Sequence, residues 1–259
     1  MDRCKEALAG YTFASFAHDV AAIVADFDTL TLVDDGSRPR VGVVGEIHTK
    51  YDPDGNNGIV AIIETQGCEA VVGSLMNYLL FEMSGDRAGT QGSDATEADG
   101  TSARVAAAIK TLESMRAVLT RALERSSRFD APFDLCALRE RGTRVISGHN
   151  TCGMGWLLAG EVTELVEHGC INVLCLQPFS CLPNHIAGKA IIKEMRRRYP
   201  GLNMMTIDYD PGASEINQLN RIMLLTSVAH AGYDAGSAVS RQARRATREK
   251  GCIQTGSNS

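Results

Sequence analysis

Short runs rich in β-branched and other apolar residues, each followed by a stretch with helical spacing, constrain this chain more than any other feature. Residues 40–45 (RVGVVG), 69–72 (EAVV), 143–147 (TRVIS), 171–175 (INVLC) and 202–207 (LNMMTI) have the length and composition of strands in a parallel sheet covered on both faces. Between and after them, 58–66, 75–83, 156–168, 186–199 and 214–230 read as helices, the penultimate one ending at Pro200-Gly201. Strands that alternate with helices close through right-handed crossovers into parallel sheets. The expectation is an α/β fold of flavodoxin/Rossmann-like parallel sheets flanked by helices, in two α/β halves.

The first half covers residues 1–101. It opens with a helix from about Cys4 to Phe27, carrying Leu8, Phe13, Phe16, Val20, Ile23 and Val24 on one face. It ends in residues 84–101 (SGDRAGTQGSDATEADGT), which lack any large apolar side chain to offset the entropy of ordering and read as a flexible insertion. A long amphipathic helix over 102–126 then begins the second half, 102–235, and a partly disordered tail over 236–259 comes after it, with a last helical stretch near 238–249.

Charge narrows the functional classes. The 31 acidic side chains against 26 basic ones give a net charge of −5, with no general attraction for nucleic acid or an anionic membrane. No apolar run reaches the roughly 20 residues of a membrane span, and MDRCKEALAG contains no signal core. A soluble, cytoplasmic protein is expected.

In open parallel sheets, ligands bind beyond the carboxyl ends of the strands, where loops meet helix N-termini. The residues just past each expected strand are therefore informative. Glu46 and His48 come after the first; Gly148, His149, Asn150, Cys152, Gly153 and Gly155 come after 143–147. Cys175, Cys181, Asn184 and His185 lie in or after the strand at 171–175, and Asp208 and Asp210 come after the last. The glycine-rich loop before Trp156 has the makings of an anion cradle. It does not match a nucleotide motif: Leu158 stands where a third Rossmann glycine belongs, and no G-x-x-x-x-G-K-[ST] loop occurs, so no ATP site is recognised. Asn184 stands where an N-cap for the helix at 186 would be.

Eight cysteines, at 4, 68, 136, 152, 170, 175, 181 and 252, are numerous for a reducing compartment. Most read as small buried hydrophobes. Cys175 and Cys181, with Cys152 on the same rim, have the residue type for a metal or iron–sulfur site, although C-x5-C is not the short knuckle of structural zinc. Pro178 and Pro183 stiffen the loop that carries Cys181.

The strings GEIHTKYDPDGNN, CGMGWLLAGEVTELVEHG, CLQPFSCLPNHIAGKAIIKEMRRRYPG and IDYDPGASEINQLNRI, in this order over about 40–230, resemble the 2-hydroxyacyl-CoA dehydratase-related proteins. More narrowly they resemble the C-terminal part of the large CoA-substrate-specific enzyme activase-type proteins. The resemblance implies flavodoxin-like units and a role in anaerobic, ATP-driven, low-potential electron transfer. It further implies an iron–sulfur cluster faced by the Cys175 and Cys181 loop, Cys181 foremost; Cys152 on the same rim is the third candidate ligand, and by their place after the strands Glu46, His149, Asn150, Gly153, Gly155, Asn184 and His185 are the candidate cofactor-binding residues. Its partners would be an ATP-dependent activator and an acyl-CoA ligand, with a homodimer as the assembly. The activator's own ATPase motifs are absent, and Met154 stands where the family more often has an acidic residue. The residues leave a second reading open, a non-catalytic ligand-binding or docking domain with structural cysteines, and a more distant third, a hydrolase built on Cys181 and His185.

Overall fold

A computed structural model describes residues 2–10, 12, 14–31, 38–84, 100–150, 153–210, 212 and 214–233. Four strands form one all-parallel sheet: β1 (Arg40–Gly45), β2 (Glu69–Val72), β3 (Asn172–Pro178) and β4 (Asn203–Tyr209), in the order β2-β1-β3-β4. Both expected halves thus contribute two strands each to a single sheet. β1 pairs with β3 from Val41↔Asn172 to Gly45↔Leu176, and β3 with β4 from Asn172↔Asn203 to Pro178↔Tyr209. The chain leaves β1 for β2 on one side and later enters β3 on the other, so the sheet has its topological switch point between β1 and β3.

The helices are α1 (Asp2–Ala9), α2 (Phe16–Thr29), α3 (Ile47–Tyr51), α4 (Ile59–Thr65), α5 (Leu75–Met83), α6 (Gly100–Leu123), α7 (Leu135–Thr143), α8 (Gly155–Glu167), α9 (Leu182–Asn184) and α10 (Ile192–Arg198). A π turn (His185–Lys189) separates α9 from α10, and the chain is helical again over 215–233, which is α11. Alternation along the strands divides the core in two. Val44, Val173, Cys175 and Met204 face α8 with Leu158 and Val162, whereas Val41, Val43, Leu174, Leu176 and Ile207 face the layer of α4 and α11 with Ile59, Ile63, Ile222 and Leu225. Every one of these is buried, which is why the strands read as continuous apolar runs rather than alternating ones.

Three expectations need correction. The opening helix is two helices, broken between Ala9 and Phe16, where Ser15 and Thr12 bond to one another through side chain and backbone. Residues 143–147 are not a strand. Asp134 caps α7 by accepting the Ala137 N–H at 2.7 Å, the helix runs to Thr143, and the Val145 and Ile146 N–H groups both close back on the Gly142 carbonyl. Val145 and Ile146 therefore reach the core from a turn, packed against the α8 cluster. The helix expected over 186–199 starts earlier and is interrupted by the π turn, in which the Ala190 N–H reaches back five residues to the His185 carbonyl. Residues 85–99, most of the expected insertion, and the tail from 234 onward lie outside the described residues.

Contact between α7 and α8 depends on two glycines. A Cβ on Gly142 would lie 2.1 Å from the Trp156 carbonyl oxygen, and one on Gly160 would lie 2.6 Å from that of Leu138. Gly142→Ala is expected to force the two helices apart and cost roughly 1–3 kcal/mol or more. Gly201→Ala, where a Cβ meets nothing within 4 Å, should leave the urea midpoint nearly unchanged; equal midpoints for the two variants would show that the helix contact is not close-packed.

Candidate functional site

The rim at the strand carboxyl ends is built by short-range rules. Gly45 ends β1 at φ +131°, with space for no side chain because its Cβ would fall 1.9 Å from the Leu176 carbonyl oxygen. The next N–H, of Glu46, donates to that same oxygen at 2.8 Å and ties the β1 exit to β3. The Glu46 carboxylate then caps α3, accepting the Thr49 N–H at 2.9 Å. Beyond it, Asn57 takes a left-handed conformation at φ 54° and donates through Nδ2 to Gln218 Oε1 at 3.1 Å, joining the α3–α4 turn to α11.

These elements enclose a cleft of about 580 Å³ over the switch point. Carboxyl groups of Glu46, Asp54, Asp210 and Glu215 line it together with His48 and Tyr209, and no Lys or Arg is among its described lining residues. The Tyr209 hydroxyl is buried with no hydrogen-bond partner among the described residues, and burial pushes its phenol above the ordinary range. A buried hydroxyl without a partner is a donor and acceptor in need of one.

The segment after β3 carries a second group of polar side chains. Asp208 on β4 accepts from Lys189 Nζ through Oδ2 at 2.8 Å and from the amide of the fully buried Gln177 through Oδ1, and His185 Nε2 lies 3.6 Å from that same Oδ1. Burial raises the Asp208 carboxyl, but these hydrogen bonds and the Lys189 charge outweigh it and hold the group below the usual carboxylate range. Cys181, half-buried, occupies the cap position of α9, and Asn184 stands at the cap position of the π turn, where its side chain makes no capping hydrogen bond. Asn184 is buried inside the turn and donates to Cys181 Sγ at 3.1 Å.

The sequence-expected site residues are only partly brought together. Cys181, Asn184 and His185 share the post-β3 turn, and Glu46 lies on the neighbouring β1 exit. Gly153 (φ 61°) packs against this turn, since its Cβ would lie 2.6 Å from Pro183 Cβ. His149 is exposed, and its N–H donates to Ser147 Oγ. The Asn150 carbonyl accepts the Trp156 N–H at 3.1 Å, and the Leu157 N–H turns back to the Met154 carbonyl. Two donors of the expected anion cradle, just past Gly155, are thereby committed within the backbone. Cys152 lies outside the described residues.

Cys175 does not suit a cluster. It is fully buried on β3 in one core cluster with Leu158, its sulfur 2.9 Å from where a Cβ on Gly188 would lie, and burial, with Glu161 and Asp208 adding to it, pushes its thiol up to about 12. A metal ligand must be a thiolate. Among the described residues no three His, Cys, Asp or Glu side chains are placed to hold a metal ion. Of the two expected cluster thiols among the described residues, Cys175 is closed off by burial and Cys181 is half-buried on the rim. No helix of the described residues is long and apolar enough to cross a membrane. No family model, no curated protein and no solved structure matches this chain.

The most heavily buried charges were not expected from sequence. Lys50 Nζ donates to Glu161 Oε1 at 2.8 Å, with side chains 0% and 3% exposed, and Tyr51 on the same helix donates to the Gly73 carbonyl at 2.6 Å. Glu164, one turn along α8, accepts the Phe133 N–H at 2.5 Å. Their signal lies in WLLAGEVTELV, a helix apolar on every side and hence buried, so that its two glutamates must be inside.

Burial pushes the Glu164 carboxyl up to about 7; the Phe133 N–H pulls it down, Glu161 raises it, and Lys50 and Arg141 lower it. The folded chain holds this proton where the unfolded chain has released it, so Glu164 makes stability fall as pH rises from about 4.5 to about 7. Glu164→Gln keeps an acceptor for Phe133 and should flatten the decline of the urea midpoint across that window. A variant with the wild-type slope would assign the decline to another group.

Proposed function

We propose that this chain is a ligand-binding domain that takes a hydroxyl- or amine-bearing small molecule at the β1/β3 switch point. The observation that carries the reading is the cleft of about 580 Å³ over that point, where open parallel sheets receive their ligands. Its chemistry gives the ligand class. Glu46, Asp54, Asp210 and Glu215 offer carboxylate acceptors, and the unpartnered Tyr209 hydroxyl offers a donor. The phosphates of an acyl-CoA would meet like charge there. Within a dehydratase/activase-type system, which the sequence resembles, such a domain is a binding or docking component beside the ATP-dependent activator.

Calorimetric titration with ribose, sorbitol and an amino-polyol, and with CoA as the anionic contrast, tests this. A polyol or amino-polyol should bind, and Tyr209→Phe or Glu215→Gln should weaken it about tenfold, the worth of one buried polar contact. Preference for CoA, or equal affinity in both variants, would refute the cleft as the site.

One observation favours a second reading, a redox component whose cluster is completed by other thiolates. Cys181 presents a half-buried sulfur on the stiff rim, already oriented by Asn184 Nδ2. Iron and sulfide retained after anoxic reconstitution and lost in Cys181→Ala would favour this reading; no retained iron would dismiss it for this chain alone.

A further inference from the structure

A second cleft, of about 410 Å³, runs along the β2 side of the sheet between α8 and the segment 123–132. Its walls and floor differ in chemistry. Val44, Leu123, Phe129 and Leu165 supply apolar wall, while Glu161 and Glu164 project from adjacent turns of α8. The Lys50 ammonium satisfies one oxygen of Glu161 only; Oε2 is buried and has no hydrogen-bond partner among the described residues. Two arginines also line this cleft, and both already have partners. Arg40 donates to the His168 carbonyl at 3.0 Å and lies between Glu69 and Asp130, and Arg128 donates to the carbonyls of Phe27 and Leu30.

We infer that this cleft binds an alkylammonium group, the ammonium between Glu161 Oε2 and Glu164 and the hydrocarbon against the apolar wall. The charges around the floor support a cation. With Glu164 ionised, the two carboxylates have the Lys50 ammonium between them, while Arg141, which also acts on Glu164, is paired with Glu167; a further cation compensates the remaining charge in a place where an uncompensated one is costly. An ammonium also brings several donors to an oxygen that has none, and its hydrocarbon chain replaces water along the wall. A carboxylate ligand would meet two like charges, and a plain alcohol would leave the charge uncompensated. This site is separate from the switch-point cleft and does not depend on the function proposed for it.

The test is calorimetric titration, above neutral pH, with n-hexylammonium chloride, n-hexanol and sodium hexanoate, three probes of one chain length and different charge. Hexylammonium should bind, hexanol about tenfold more weakly and hexanoate not measurably. Glu164→Gln should weaken hexylammonium about tenfold. Because Glu161→Gln alone would strand the Lys50 charge, Lys50→Met/Glu161→Gln serves as the second variant and should also lose the amine. No binding of hexylammonium, equal binding of hexanol, or full binding in either variant would overturn the inference. So would loss of hexylammonium in Glu215→Gln, which would place the amine in the switch-point cleft.

Discussion

Everything in this fold depends on β1 and β3 lying side by side in parallel. A parallel pair cannot be joined by a short turn, so the chain between them must travel over the faces of the sheet, and those faces must both be covered. Covering them divides the core between α8 on one side and α4 with α11 on the other. The same pairing creates the switch point, because the connections from β1 and into β3 diverge to opposite sides of the sheet. The bond from the Glu46 N–H to the Leu176 carbonyl fastens the pair at the edge where the cleft opens. Fold and candidate site thus share one cause.

Helix α8 bears the strongest consequence of that division. It lies between the sheet and α7, close enough to α7 that glycine is required at positions 142 and 160. A helix buried on all sides should be apolar on all sides, yet α8 carries Glu161 and Glu164. The pair between Lys50 and Glu161 resolves half of the conflict by bringing a lysine from α3 across the carboxyl end of the sheet. The other half is expressed as a carboxyl group that retains its proton close to neutrality. Buried ion pairs are weak contributors to net stability, so this arrangement is not what holds the chain together.

Much of the architecture was legible in the sequence because parallel strands buried on both faces are short, apolar and bounded by turn residues. RVGVVG, INVLC and LNMMTI announce themselves in this way. TRVIS has the same composition and misleads, since nothing local distinguishes a strand from a turn that inserts two β-branched residues into the core; the deciding features are the Asp134 cap upstream and the contact of Gly142 with α8. The candidate site was legible in outline. Glu46, Cys181, Asn184 and His185 do lie on the rim, because strand ends dictate where loops go. Cys175 lies in the interior rather than on the rim because β3 runs on three residues past it, to Pro178. Lys50 and Tyr209 were hidden for a different reason: their importance comes from contacts across more than a hundred residues of chain or from burial, and neither leaves a local pattern.

The π turn at His185–Lys189 has a geometrical consequence of its own. Each residue in an α-helix advances the direction of its side chain by about 100°, and a turn closed at five residues rather than four absorbs one extra step. Without it, Leu182 to Arg198 would be one continuous amphipathic helix, and Met195, buried in the core, would dictate the bearing of everything upstream. The wider turn acts as a phase shifter. Met195 keeps its anchorage while the first turn, with Cys181 at its head and Asn184 within it, is rotated to a bearing that the rest of the helix does not set. Removal of a single residue between His185 and Ala190 would restore a regular helix and re-aim the rim.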